Sequence, residues 1–246
     1  LLVNENINIR YVEQIIKLTQ TTSASYLLLS SLDISRRNLA LRGRESFEKV
    51  ASLAEYARDE INSIGGYYAY GKDLVNGTSV YDYDVTKLSV YTRDIGLTGI
   101  EIYDLLRDEY DIQIEFGDIG NILAYISIGD RIQEIERLVG ALEDIKRLYS
   151  KEVTHIHNSE YISPIVAATP QKAFYSEKKQ LPIKETAGKI CGEFVMCYPP
   201  GIPILAPGEM ITNELIDYML FAKEKGCSIQ GPEDCELKTL NVLKEG

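Results

Sequence analysis

The residues with the most chemical potential lie between Tyr198 and Thr212, in the run YPPGIPILAPGEMIT. Four prolines and two glycines fall within the ten residues 199–208. Prolines fix φ and reduce the entropy lost on ordering, while glycines permit close backbone approach, so Tyr198 and Glu209 are expected to be held in fixed positions. The same pattern also reads as a rigid strand-to-helix connection in which Glu209 favours the positive end of the following helix. A second acidic pair, Glu115 and Asp118, stands at i and i+3 beside an apolar run from Ile112 and reads either as a cation-binding pair or as solvated turn carboxylates. His155-Ile156-His157 presents two imidazoles on one side of an extended segment, but no cysteine or carboxylate nearby completes a metal set, so no metal is expected. The four cysteines, Cys191, Cys197, Cys227 and Cys235, contain no C-x-x-C pair and read as reduced, partly buried thiols.

These side chains need elements to position them. From Asn8, the spacing of Ile9, Val12, Ile15 and Ile16 predicts a helix with Asn8 as its cap, ended by the hydroxyl-rich Thr21 to Ser25. Helical stretches follow from Ser25 to about Arg42 and from Glu45 to Ile64, stopped by Gly65-Gly66. Their charges, including Arg36, Arg37, Arg44 and Glu48, read as helix-face pairs or a subunit interface. Beyond Gly66, Tyr, Val and Ile cluster in short runs, predicting strands over 67–70, 87–92, 112–116 and 121–128. Thr98 to Glu101 has the S/T-x-x-E pattern of a capping box and predicts a helix to about Tyr110; a further amphipathic helix is expected over 131–149. The polar segment 151–185 is expected to cross the surface with a short helix near 170–176. After it come a strand over 193–197, a proline-stiffened loop over 198–208, a helix over 212–224 and a strand over 238–243. Three divisions follow: residues 1–65 as the end of a preceding domain with linker helices, 66–150 as a small α+β domain, and 151–246 as an extra α/β subdomain.

Composition narrows the partners. With 37 acidic against 26 basic residues in 246, the net charge is −11, which disfavours a nucleic-acid or anionic-membrane surface. No run of about 18 apolar residues marks a membrane span, and no charged leader precedes an apolar segment, so a cytoplasmic protein is expected. The chain opens on Leu1-Leu2-Val3 without methionine and is expected to begin inside a larger protein.

The run from Tyr198 to Thr212 resembles the carboxy-terminal signature of the Orn/Lys/Arg decarboxylases, pyridoxal-phosphate enzymes of the aspartate-aminotransferase-like fold. Thr21 to Arg37, TTSASYLLLSSLDISRR, resembles that family's S-T-S-P-S-Y-x-x-x-x-S-L-D-x-x-R-R segment, with Ala24 departing from the usual proline. Tyr83 to Val90, YDVTKLSV, resembles its D-x-T-K/R-L strand entry, and Thr98 to Gly129 its following stretch. The resemblance covers almost the whole chain and implies the small C-terminal domain and helical linker of a fold-type-I enzyme, followed by an extra subdomain.

The implied activity is loss of carbon dioxide from arginine or lysine, less readily ornithine, with pyridoxal 5'-phosphate as electron sink, in a homodimer or higher oligomer. An enzyme with the same fold but aminotransferase chemistry, and a free-standing binding or assembly module, are the alternatives. The family holds its cofactor through a lysine in an S-x-H-K segment that precedes the position matching Leu1, and no Ser-x-His-Lys occurs here. The chain is therefore expected to need a missing N-terminal cofactor domain and to be inactive alone. Resemblance places the hydroxyls of Thr22 and Ser23 against the cofactor phosphate. The distal cation of a basic substrate needs an acidic partner, for which Glu209 is the first candidate, with Tyr198 beside it, and Glu115 and Asp118 the second.

Overall fold

The computed structural model describes residues 4, 6–153 and 162–244, so His155 and His157 lie outside the described residues. The chain divides into two compact units, residues 1–48 and 49–246.

The first unit is helical. Helix α1 (Ile9–Thr19) starts where the Asn8 side chain accepts the Tyr11 backbone N–H, as its sequence predicts. Helix α2 (Tyr26–Ile64) runs 39 residues without a break, where two helices meeting near residue 43 are expected from sequence. The intervening Gly43 is an imperfect helix former, costing about 1 kcal/mol relative to alanine, but neither it nor its neighbours break the backbone hydrogen-bond ladder. In residues 26–41 the apolar side chains of Tyr26, Leu27, Leu28, Leu32 and Leu41 are exposed.

The second unit holds two cores. In the first, β1 (Tyr68–Ala69), β2 (Lys87–Tyr91), β3 (Phe116–Gly117) and β4 (Asn121–Tyr125) form an antiparallel sheet ordered β1-β2-β4-β3. Alternation decides its faces: Leu88, Val90, Ile122 and Ala124 are buried against α2, α3 (Gly99–Tyr110) and α4 (Ile132–Tyr149), where Ala54, Ile61, Ile102, Leu106, Leu142 and Ile145 meet them. The intervening Tyr91 and Asn121, which pair across β2 and β4, lie on the opposite face. The strand expected over 112–116 shrinks to β3; before it the Glu115 N–H still bonds Leu123 O at 3.0 Å.

The capping box predicted for α3 is present: Thr98 Oγ1 accepts the Glu101 N–H and Glu101 Oε2 accepts the Thr98 N–H at 2.8 Å. Arg58 of α2 is a feature that sequence pattern does not announce. The residue is 5% exposed, and its guanidinium donates to Tyr70 O, Val85 O and Lys87 O at 2.8, 2.8 and 2.9 Å, tying β1 and the entry to β2 onto the helix.

The second core gathers α6 (Asn213–Glu224) and the sheet β7-β6-β8, formed by β6 (Val195–Tyr198), β7 (Ile202–Leu205) and β8 (Ser228–Gln230). A separate ribbon pairs β5 (Lys178–Pro182) with β9 (Thr239–Leu243), after the short α5 (Pro170–Tyr175). The segment 198–208 is not the loop expected from its prolines: Tyr198-Pro199-Pro200-Gly201 turns a hairpin and residues 202–205 return as β7. Pro203 is tolerated because β7 is the edge of its sheet and the register shifts between Val195 and Met196. The peptide bonds preceding Pro199 and Pro200 are cis.

Candidate functional site

A cavity of about 770 Å³ opens between these two cores, within the second unit. Its floor is the outer face of the four-stranded sheet, contributed by Tyr70, Tyr91 and the turn Asp118 to Asn121. One wall is the β6–β7 hairpin, with Cys197, Pro199 and Pro203; the other is α6, which presents Glu214, Asp217, Tyr218 and Phe221. Those four positions follow i, i+3, i+4, i+7 and so share one helix face. Among the described residues, four aromatic rings and three carboxylates, from Asp118, Glu214 and Asp217, line the space, with one guanidinium, that of Arg93.

Asp118 is fixed in place by its own turn. Its Oδ1 accepts the N–H groups of Gly120 and Asn121, each at 2.7 Å, and the Asn121 side-chain amide at 3.3 Å. The turn in turn rests on the start of α3, where Ile100 N–H donates to Asp118 O at 3.0 Å. Gly99 makes that approach possible, since a Cβ there would run into Asn121 O. The Asp118 charge is felt across the cavity. Burial first, then the cysteines Cys197 and Cys227, then Asp118 push the Tyr218 phenol above its ordinary pKa. Burial, Tyr91 and Asp118 do the same to Tyr70. Asn121 keeps its Oδ1 buried and without a hydrogen-bond partner. Carboxylates, ring faces and an unsatisfied acceptor together suit an organic cation bearing N–H donors.

The other sequence-derived candidates lie apart from this lining. Glu209 is half-buried, and its Oε2 accepts the Ala206 N–H at 2.9 Å, closing the turn Ala206 to Glu209. Tyr198 is half exposed at the hairpin turn, its ring against Gly201, between the lining residues Cys197 and Pro199. Glu115 is exposed, three residues from Asp118 but outside the cavity. Thr22 and Ser23, in the first unit, are exposed just before α2, with the Ser23 N–H bonded to Thr21 Oγ1 at 3.2 Å. Asp217, Glu214 and Tyr218 are absent from the sequence-derived set; their helical spacing within 213–224 is the signal that marks them.

Comparison with known proteins agrees with this fold. Residues 150–233 match the model of the Orn/Lys/Arg decarboxylase C-terminal domain. Proteins named arginine decarboxylase align over nearly the whole chain: that of Bacillus anthracis is 40% identical over 97% of this chain and 49% of its own length, and that of Bacillus subtilis 41% identical over 95% and 48%. The chain thus spans about half the length of these curated relatives. The lysine decarboxylase of Francisella novicida superposes with a TM-score of 0.74 at 19% identity, covering 97% of this chain and 46% of that one, which supports the shared α+β fold. Among the described residues no helix is long and apolar enough to cross a membrane. The chain belongs to the C-terminal region of the Orn/Lys/Arg decarboxylase family.

Proposed function

We propose that this chain is the C-terminal part of a cytoplasmic, pyridoxal-phosphate-dependent decarboxylase acting on arginine or lysine, less readily on ornithine. The observation that carries the reading is the alignment, 40% identical over 97% of the chain, with a protein named arginine decarboxylase. The cavity supports it from chemistry, because its carboxylates and rings match the charge at the far end of such a substrate.

Pyridoxal phosphate, when bound, supplies the electron sink for the bond that breaks as carbon dioxide leaves. The exposed hydroxyls of Thr22 and Ser23, set immediately before the first turn of α2, fit a phosphate group, since hydroxyls and the N–H groups of a helix start both donate to its oxygens. No Ser-x-His-Lys segment occurs in the 246 residues, so the chain by itself lacks the family's covalent anchor and does not decarboxylate. Asp118, oriented by two backbone N–H groups, pairs with the distal ammonium or guanidinium. Tyr70, Tyr91 and Tyr218 shield that pair from water. Glu209 holds the turn that carries β7 into α6, and Tyr198 the hairpin rim, so both position the cavity wall. The exposed leucines of residues 26–41 fit a surface covered by a second subunit in a dimer or larger assembly.

The test is direct. The longer polypeptide containing this chain, supplied with pyridoxal phosphate, should release carbon dioxide from arginine or lysine and turn over ornithine more slowly. Transfer of the amino group to a keto acid without carbon dioxide release would instead establish an aminotransferase.

A further inference from the structure

Loss of carbon dioxide changes the charge of the molecule that reacts. At neutral pH a basic amino acid carries an α-ammonium, a distal cation and one carboxylate, for a net single positive charge. The amine left behind keeps both cations and has no carboxylate, so it is a dication.

The cavity lining suits the second molecule better than the first. On α6, Glu214 and Asp217 stand one turn apart on the lining face, and among the described residues neither side chain has a hydrogen-bond or ion-pair partner. On the floor, Asp118 accepts the N–H groups of its own turn, all of them neutral. Among the described residues the lining carboxylates outnumber the one guanidinium, Arg93, by two. Acidic side chains therefore occupy both the floor and the α6 wall, and a ligand with a cation at each end can address both. The rings of Tyr70, Tyr91, Tyr218 and Phe221 offer faces to such cations, and the buried, unpartnered Asn121 Oδ1 offers an acceptor to an N–H. At about 770 Å³ the cavity is of the size of small-molecule sites, roughly 300–1,000 Å³, and holds a whole amine of this kind. An amino acid in the same space sets its carboxylate against one acidic wall or the other, with Arg93 as the one lining cation to offset it.

We propose that this cavity binds the decarboxylated amine more tightly than the amino acid it comes from, so that product competes with substrate and restrains the enzyme as it accumulates. The proposal rests on the reading of the cavity as the site of the substrate's distal cation. Asp118 holds that distal group, and Glu214 and Asp217 attract the ammonium at the other end once no carboxylate accompanies it. Removing one negative charge from a ligand among like charges at this range, partly screened by water and salt, is worth roughly tenfold in affinity.

Calorimetric titration of the purified chain, without cofactor, uses three probes: arginine, its decarboxylated amine agmatine, and arginine amide, which lacks only the carboxylate charge. Agmatine and the amide are each expected to bind roughly tenfold more tightly than arginine, and added salt should narrow the difference. Asp217→Asn and Glu214→Gln, close to isosteric and at exposed helix positions, should weaken agmatine several-fold and arginine less, drawing the two affinities together. Arginine binding as tightly as agmatine, an amide that behaves like arginine, or no binding of agmatine would overturn the proposal. The three probes decide the matter on the wild-type chain even where a variant fails to fold. Nothing turns over in the titration, so its failure is distinct from that of the carbon dioxide assay, which sinks the decarboxylase reading and leaves the measured preference standing.

Discussion

Asp118 and Asn121 clasp each other: the Asn121 N–H donates to Asp118 Oδ1 at 2.7 Å while the Asp118 N–H donates to Asn121 O at 2.8 Å. This reciprocal pair sets the carboxylate at the cavity floor, on the start of α3. Replacing Asp118 by Asn keeps an Oδ1 acceptor and removes the charge, whereas Ala removes both. In the decarboxylase proposed above, Asp118→Asn should raise KM for a basic amino acid about 10- to 100-fold, matching the loss of a charge-assisted contact of roughly 1.5–3 kcal/mol. Its unfolding midpoint in urea should stay near wild type. Asp118→Ala should also lower stability by about 1–2 kcal/mol, because two turn N–H groups lose their acceptor. An unchanged KM in Asp118→Asn would remove this residue from substrate recognition.

Gly99 and Gly140 should respond oppositely to alanine. A Cβ on Gly99 meets Asn121 O, so Gly99→Ala must push α3 off the Asp118 turn and should cost about 2–3 kcal/mol. A Cβ on Gly140, inside α4, meets nothing within 4 Å, so Gly140→Ala should stabilise by about 0.5–1 kcal/mol through helix propensity. Urea unfolding of the two variants checks both signs at once.

Arg58 bridges three backbone carbonyls from a nearly buried position. Desolvation lowers its pKa, with Tyr83, Glu55 and Asp84 opposing, so the charge is retained by contacts rather than by water. Arg58→Met keeps much of the aliphatic stem but strands Tyr70 O, Val85 O and Lys87 O, and should cost about 3 kcal/mol. Hydrogen exchange in β1 and at the start of β2 should quicken more than in β6 and β8. Uniform exchange across both sheets would contradict a local tie.

Glu101 provides a pH signature. Burial raises its pKa, but hydrogen bonds from Lys151 and Thr98 outweigh that and hold the carboxyl below its ordinary value of 4.5. The folded state therefore binds this proton less readily than the unfolded state. The stabilisation is complete above the ordinary value and is lost as pH falls from there through the lowered folded value. Glu101→Gln should flatten the acid limb of urea stability as the pH falls below the ordinary carboxyl value of 4.5. An acid limb unchanged by that substitution would show that the cap carries no charge-dependent stability.

The elements built from local signals were legible in the chain. Asn8, the Thr98/Glu101 box, Gly65-Gly66 and the apolar spacings of 132–149 mark helix ends and faces because capping and amphipathicity act over three or four residues. The hairpin 198–205 was not legible, because two prolines and a glycine in a row have the same composition whether they form a loop or the turn of an edge ribbon. Which of those forms is adopted depends on whether β6 has a free edge, and that is a property of the sheet.

The site divides along the same line. The sequence by itself determined the family, through motifs spread in order from Thr21 to Thr212, and it named Asp118 as an acidic candidate and Cys197 and Cys227 as thiols. Only the tertiary structure decided that Asp118 shares a cavity with Asp217 and Tyr218, nearly a hundred residues away, while Glu209 spends its carboxylate on its own turn. The reason is physical. A motif records which side chains a stretch can present, whereas charge pairing and burial depend on distances that exist only once separate sheets and helices have packed.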